Sequence, residues 1–315
     1  MTLVAAIDCG TNSIRLLIAD LAQGCLRDVH REMRIVRLGQ GIDASGEFAP
    51  EALARTRAAL IDYAELLAAH AVTRVRMVAT SAARDVANRE AFFAMTAEVL
   101  GAVIPGAAAE VISGEAEAAL SFRGAIGELD CADAPFVVVD LGGGSTEIVL
   151  GDSSAGVSAS FSADIGCVRL TERCLHSDPP SSAEVANARR EVRDRLAAAL
   201  RVVPVEQART WVGVAGTMTT LSALAQGMTV YDAAVIHLSR VRYDELFAVC
   251  GRLITMTRAQ RAALGPMHPG RADVIGGGAI VVQELAGILR ERAGIGELIV
   301  SEHDILDGIA LSIAG

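Results

Sequence analysis

The chain has 315 residues, long for one hydrophobic core and comfortable for two, and with 52% hydrophobic and 21% charged residues it is not a disordered protein. A net charge of −10 excludes general nucleic-acid binding, which rests on clustered Lys and Arg, and requires an anionic ligand to be held by local donors and not steered from afar. The opening MTLVAAIDCG has no basic leader region, no window carries ~20 uninterrupted apolar residues, and the six cysteines form no C-x-x-C pair, so a cytoplasmic chain with free thiols is expected.

Leu3–Asp8 reads as a strand, Gly10–Asn12 as a turn, and Ser13–Asp20 as a second strand with Ile14, Leu16 and Ile18 on one face. Cys25–Leu38 continues as strand and Gly39–Phe48 as a loop. Pro50 opens a helix, where its missing N–H costs least, and Leu53, Leu60, Ala64 and Leu67 recur at helical spacing. A strand is predicted at Val75–Thr80, a helix at Arg84–Leu100, a short strand at Glu110–Ile112 and a helix from Gly114 to Ile126. The pattern then restarts with a strand at Ala134–Asp140, the turn LGGGST and a strand at Glu147–Leu150. AAIDCGTNSIRLLIAD and VVVDLGGGSTEIVLGD thus share an order: apolar strand, Asp, glycine turn with Ser or Thr, strand. This marks an internal duplication, with domains over residues 1–123 and 124–315 and the last helix a candidate to pack back on the first domain. Further along come a helix near Val168–Leu175, a loop at His176–Ser182 and an Arg/Glu-rich helix at Ala183–Val202. A strand at Thr210–Val214 runs into GTMTTLSAL, a third glycine turn that opens a helix, and the remainder reads as helical except for Glu297–Val300.

A strand that ends in Asp and runs into glycines and Ser/Thr suits phosphate. Glycines let the main chain approach closely and turn several N–H groups toward an anion. The Asp faces phosphate only through a cation or water, because a cation reverses the local charge logic. Two matching turns predict a phosphate cleft between two domains. Read from the residues alone, Glu117 is one of two glutamates on a helix face and Arg84 an ordinary helix arginine. Cys167, Cys174 and His176 are the nearest approach to a metal cluster and read instead as helix-lining, while His237 and His268 lie in polar stretches without ligand spacing. There is no G-x-x-x-x-G-K-[ST], H-E-x-x-H or G-x-S-x-G.

DCGTNSIRLLIAD, TSAARD, ISGEAEA, VVVDLGGGSTEIVLG and GVAGTMTTL stand in the order of the motifs of the exopolyphosphatase/guanosine pentaphosphate phosphatase family, which the chain resembles over nearly its whole length, in the short two-domain actinobacterial form. The resemblance implies an α/β fold of duplicated ribonuclease H-like domains of the acetate kinase, sugar kinase, heat-shock ATPase and actin superfamily, with the active site in the interdomain cleft. It implies Mg²⁺-assisted attack of water that releases terminal phosphate from inorganic polyphosphate or guanosine pentaphosphate, by a homodimer. Carried over residue by residue, it implies Glu117 and not Glu115 as general base. It implies Asp140, Glu147 and Asp8 as the metal set, and Asn12, Ser13, Gly143, Gly144, Ser145 and Thr146 as the phosphate cradle. Arg84 resembles an arginine that grips phosphate oxygens through its planar guanidinium. Longer members carry further C-terminal domains, so short polyphosphate chains are expected here. Two other readings stay open: an ATPase or kinase of the same superfamily, with an adenosine pocket at Gly213–Thr217, and a non-catalytic alarmone-binding regulator.

Overall fold

The apolar N-terminal run becomes the middle strand of a five-stranded sheet in the computed structural model, which describes residues 3–22, 25–84 and 86–313. This strand, β1 (Leu3–Cys9), is buried on both faces: Ala5, Ile7 and Cys9 join one hydrophobic cluster and Val4 and Ala6 another. It pairs antiparallel with β2 (Ser13–Ala22), which pairs antiparallel with β3 (Cys25–Ile35). After a short helix α1 (Ile42–Ser45), helix α2 (Pro50–Ala69) covers one face, and its buried Tyr63 hydroxyl donates to Ile14 O at 3.0 Å. Strand β4 (Arg74–Ala79) lies parallel to β1.

The helix predicted over Arg84–Leu100 is broken. Helix α3 (Ser81–Arg84) ends, and α4 (Arg89–Gly101) starts afresh. Between them the Asn88 side chain accepts from Phe48 N at 2.9 Å and donates to Phe48 O at 3.0 Å, while Ala87 N donates to Gly46 O. The Ala87 amide and the Asn88 side chain are thus committed to the loop at 46–48. Asp85 of the TSAARD motif lies outside the described residues. Strand β5 (Ala109–Val111) and helix α5 (Gly114–Ala125) follow, with Ser113 Oγ accepting from Ala116 N at the start of α5.

The second half repeats the plan. Strand β6 (Phe136–Leu141) is buried throughout and pairs antiparallel with β7 (Thr146–Asp152), which pairs with β8 (Gly156–Ala163). Helix α6 (Cys167–Cys174) and the capping-box helix α7 (Ser182–Val202) precede β9 (Thr210–Val214), which is parallel to β6. Helices α8 (Ala215–Ala225) and α9 (Ala233–Ile236), strand β10 (Ser239–Arg242), and helices α10 (Tyr243–Thr255), α11 (Arg258–Ala262) and α12 (Ile275–Ala293) lead to β11 (Glu297–Val300). Two strands correct the sequence reading, which has neither. In β8, GVSASFSA offers few branched residues; in β10, SRVR is four residues at the sheet edge. The sheet orders are β3-β2-β1-β4-β5 and, read in the same sense, β8-β7-β6-β9-β11 with β10 added outside. Each holds an antiparallel meander of three strands beside two parallel ones, the duplicated ribonuclease H-like arrangement that the resemblance implies.

The last helix, α13 (Ile305–Ile313), belongs with the first sheet: the chain divides into one compact unit of Met1–Gly124 with Ile305–Gly315, and another of Ala125–Asp304. Ile305, Leu306, Ile309 and Ala310 pack on Val4, Ala6, Leu17 and Val78. Gly308 crosses α5 so closely that a Cβ would stand 1.9 Å from Leu120 O. Asp307 accepts from Arg31 at 2.5 Å, which fastens the helix to β3.

Candidate active site

In the first unit the chain passes from β1 to β2 through Gly10–Asn12, with Gly10 N donating to Ser13 O at 2.9 Å. The turn is tied from behind: Gly39 N donates to Thr11 O, and Val36 N and Arg37 N both donate to Asn12 O. A Cβ on Gly39 would meet Thr11 Cγ2 at 2.2 Å, so the glycine permits the approach. Asp8 is buried at the end of β1, and Arg15 is its register partner on β2. Arg15 donates to Asp8 Oδ2 through Nε at 3.0 Å and Nη2 at 2.7 Å.

The second unit has the same device between β6 and β7. Gly142 N donates to Ser145 O at 3.1 Å, and the backing comes from the first turn of α6. Cys167 N donates to Gly142 O, and Val168 N and Arg169 N donate to Gly143 O. Contact is so close that a Cβ on Gly166 would stand 2.4 Å from Gly143 O. In a trans peptide the carbonyl and the next N–H point opposite ways. With the Gly142 and Gly143 carbonyls drawn to α6, the N–H groups of Gly143 and Gly144 face away from it, as a phosphate cradle requires. Ser145 is buried beside them. Thr146 has a different part: its fully buried hydroxyl donates to Ile165 O at 2.5 Å, so it shapes the turn and its proton is already committed. Where the first hairpin has Asp8 opposite Arg15, this one has Asp140 opposite Glu147, both buried. Ser162 on β8 donates to Glu147 Oε1 at 2.7 Å.

Glu117 and Glu115 share the first turn of α5 but not an environment. Glu115 is exposed, while Glu117 is 7% exposed. Arg84 Nη1 donates to Glu117 Oε2 at 2.7 Å and to Ile112 O at 3.2 Å. Burial pushes the Glu117 carboxyl up to about 7, against the pull of the Arg84 charge and its hydrogen bond; the charge of Asp8 adds to the rise, and a hydrogen bond with Thr80 opposes it. Asp8, Thr80, Arg84 and Glu117 therefore form one electrostatic group within the first unit. A carboxylate that is ionised near neutrality and held in one rotamer is suited to proton abstraction.

The third glycine turn, at the start of α8, is covered. A Cβ on Gly216 would stand 2.1 Å from the Arg271 guanidinium, whose Nη1 donates to Gly216 O at 3.2 Å and lies 3.4 Å from Thr220 Oγ1. Arginine thus stands where the kinase reading needs adenosine. Three α7 arginines are engaged too: Arg189 and Arg193 pair with Glu284, and Arg195 with Glu191. Cys167 and Cys174 are buried at opposite ends of α6, and His268 accepts from Gly270 N in a short turn. Sequence reasoning missed Thr80, Ser162, Arg271 and above all Arg15. Arg15 was legible by aligning the two copies of the hairpin, since it occupies the place that Glu147 takes in the second.

The paired Asp–glycine hairpins and the buried glutamate define a phosphatase of duplicated α/β design: residues 17–313 match the Ppx/GppA phosphatase family, and the chain belongs to it. It is 76% identical to Exopolyphosphatase 2 of Mycobacterium tuberculosis, an alignment that covers 100% of this chain and 99% of that one. The crystal structure of an exopolyphosphatase-like protein superposes with a TM-score of 0.92 at 43% identity over 98% of each chain. The Ppx/GppA family member of Aquifex aeolicus superposes with a TM-score of 0.79 at 28% identity, over 99% of this chain and 97% of that one.

Proposed function

We propose that the chain is an exopolyphosphatase that releases terminal phosphate from inorganic polyphosphate, with Glu117 as the base that takes a proton from the attacking water. The observation that carries this reading is Glu117 itself: buried, fixed by Arg84, and poised at about 7, where its neighbour Glu115 is exposed. The Gly143 and Gly144 amides and the Ser145 hydroxyl hold phosphate oxygens on the second unit, and the Asn12–Ser13 turn does so on the first. Arg84 keeps Glu117 in place and offers its guanidinium plane to phosphate.

Asp140 and Glu147 fit a hard divalent cation such as Mg²⁺. Directly opposite residues on paired strands carry Cβ atoms ~5 Å apart, and like charges so placed repel. Both are buried, and Ser162 donates to one Glu147 oxygen, so the pair offers a hard cation anionic oxygens from two adjacent strands. Bound there, Mg²⁺ would neutralise charge on the phosphate oxygens. Asp8 is less suited as a ligand, because Arg15 already offsets its charge.

The same phosphate donors accept the terminal phosphate of guanosine pentaphosphate, which we include as a second substrate. Homodimerisation and a cytoplasmic location complete the reading; no described helix is long and apolar enough to cross a membrane. Phosphate release is to be measured across polyphosphate lengths and with guanosine pentaphosphate and ATP, with and without Mg²⁺. Mg²⁺-dependent release from polyphosphate supports the reading, and turnover of ATP alone would refute it.

A further inference from the structure

The geometry points to a second metal site, for a divalent transition-metal ion such as Zn²⁺, formed by Glu128, His237 and His303 of the second unit. The three residues are far apart in sequence, and the sheet brings two of them together. Strands β10 and β11 pair antiparallel with Ser239 opposite Val300, so the residues just before β10 face those just after β11. Leu238 N donates to Val300 O at 2.7 Å, which extends the ladder past β10, and Glu302 N donates to the His237 side chain at Nδ1 at 3.2 Å. Ser301 Oγ accepts from His303 N and donates to His303 O, a tight turn that fixes the His303 backbone, and the two imidazoles lie 4.4 Å apart between centroids. The third residue comes from the start of the unit. Leu129 N donates to Ile126 O in the turn that carries Glu128, and Asp133 beyond it pairs with Arg240 of β10.

Glu128 Oε1 stands 3.0 Å from His303 Nδ1 and 3.5 Å from His237 Nε2. Donors bound to one tetrahedral Zn²⁺ at ~2.0–2.1 Å lie ~3.3 Å from each other. The two spacings to Glu128 bracket that value, and the three donor atoms lie within 4.8 Å of one another, so an ion needs only side-chain rotation to draw them together. Two imidazole nitrogens and one carboxylate oxygen form a donor set for Zn²⁺, Co²⁺ or Ni²⁺, whereas Mg²⁺ prefers oxygen alone. Glu128 is largely exposed and His303 partly so, which leaves a route for the ion. One contact sets a cost. His237 Nδ1 accepts from the Glu302 amide, so in the metal-free ring the proton sits on Nε2, toward Glu128. Metal at Nε2 moves that proton to Nδ1 and parts the ring from the Glu302 amide. The site is thus one of moderate affinity, and its filling is visible at Glu302.

The test uses the whole chain, stripped of metal by a chelator and held in excess Mg²⁺ so that carboxylate-only sites are occupied. Zn²⁺ is titrated by calorimetry into the native chain and into His237→Ala and His303→Ala, each checked by circular dichroism. One equivalent is expected in the native chain, weakened at least ~10-fold in each variant, a loss that even an outer-shell partner can cause. Co²⁺ gives a reading independent of the variants: ligand-field bands without thiolate charge transfer are expected, and the Glu302 amide resonance of the Zn²⁺-loaded chain shifts. Absence of Zn²⁺ binding by the native chain, binding that survives both substitutions, or a thiolate band each overturns the proposal.

Discussion

The β1–β2 and β6–β7 hairpins are built alike and charged differently. Each has an Asp at the end of its first strand, a turn closed by a glycine N–H to a serine carbonyl, and turn carbonyls held from behind by amides that follow the third strand. They part at one register position: Arg15 faces Asp8, and Glu147 faces Asp140. The first pair is an ion pair at 2.7 Å, while the second places two buried acidic residues at facing register positions. After duplication, one register position separates an Asp–Arg pair from an Asp–Glu pair, and the proposed Mg²⁺ site rests on that difference. The first hairpin also bears on the proposed base, because the Asp8 charge helps to raise Glu117.

The largest expected effect concerns that base. Glu117→Gln keeps the shape and removes the proton acceptor, so kcat for phosphate release falls ~10²–10⁴-fold with KM little changed. Glu115→Gln, on an exposed side chain, leaves kcat near the native value. A Glu117→Gln enzyme of near-native rate would remove the base from the account.

The backing of the two turns gives the next test. In Gly166→Ala the new Cβ meets the Gly143 backbone at 2.4 Å, and the phosphate turn must shift. A displacement of ~1 Å in a positioning element costs up to ~10²-fold, so kcat/KM is expected to fall by that order. In Gly39→Ala the nearest contact is the Thr11 methyl, a side-chain atom that rotation can move, and the loss is expected to be smaller. Equal losses in steady-state assays would show that the two turns are not backed as described.

pH dependence sharpens the comparison further. Glu117 acts ionised, so kcat/KM falls as pH drops through about 7. Arg84→Ala removes the main opposing charge and moves this limb to higher pH. Asp8→Asn removes a raising charge and releases Arg15 from its partner, so the limb moves less and in the opposite direction. Stability follows the same linkage: a carboxyl raised on folding contributes stability that is fully present below its unfolded value and is lost as pH rises through about 7. Glu117→Gln therefore flattens the fall in Tm over that interval, which thermal melts in a pH series would detect. An Arg84→Ala limb at lower pH would contradict the charge arrangement.

Much of the fold was legible because its central strands are apolar runs ending in Asp and glycine, and the duplication repeats them. Elements that escaped are those whose cause is not local. Strand β8 exists because β7 offers an edge to a Ser/Ala-rich segment, and β10 because β11 does. The break between α3 and α4 is made by Asn88 bonding the Phe48 backbone, a partner 40 residues away. At the site, the glycine turns, Asp140, Glu147 and Glu117 stood out by motif. The distinction between Glu117 and Glu115 is one of burial, which two glutamates two residues apart in a sequence do not display. The proton of Thr146 looked available and is spent on Ile165, a carbonyl that only the β7–β8 pairing brings near.

The difference between the hairpins is tested most directly by the Mg²⁺ concentration that half-saturates phosphate release, measured for Asp140→Asn, Glu147→Gln and Asp8→Asn at saturating polyphosphate. A several-fold rise is expected for Asp140→Asn and for Glu147→Gln, and an unchanged midpoint for Asp8→Asn. A midpoint that moves as far in Asp8→Asn as in the other two, or stays fixed in all three, would contradict this expectation.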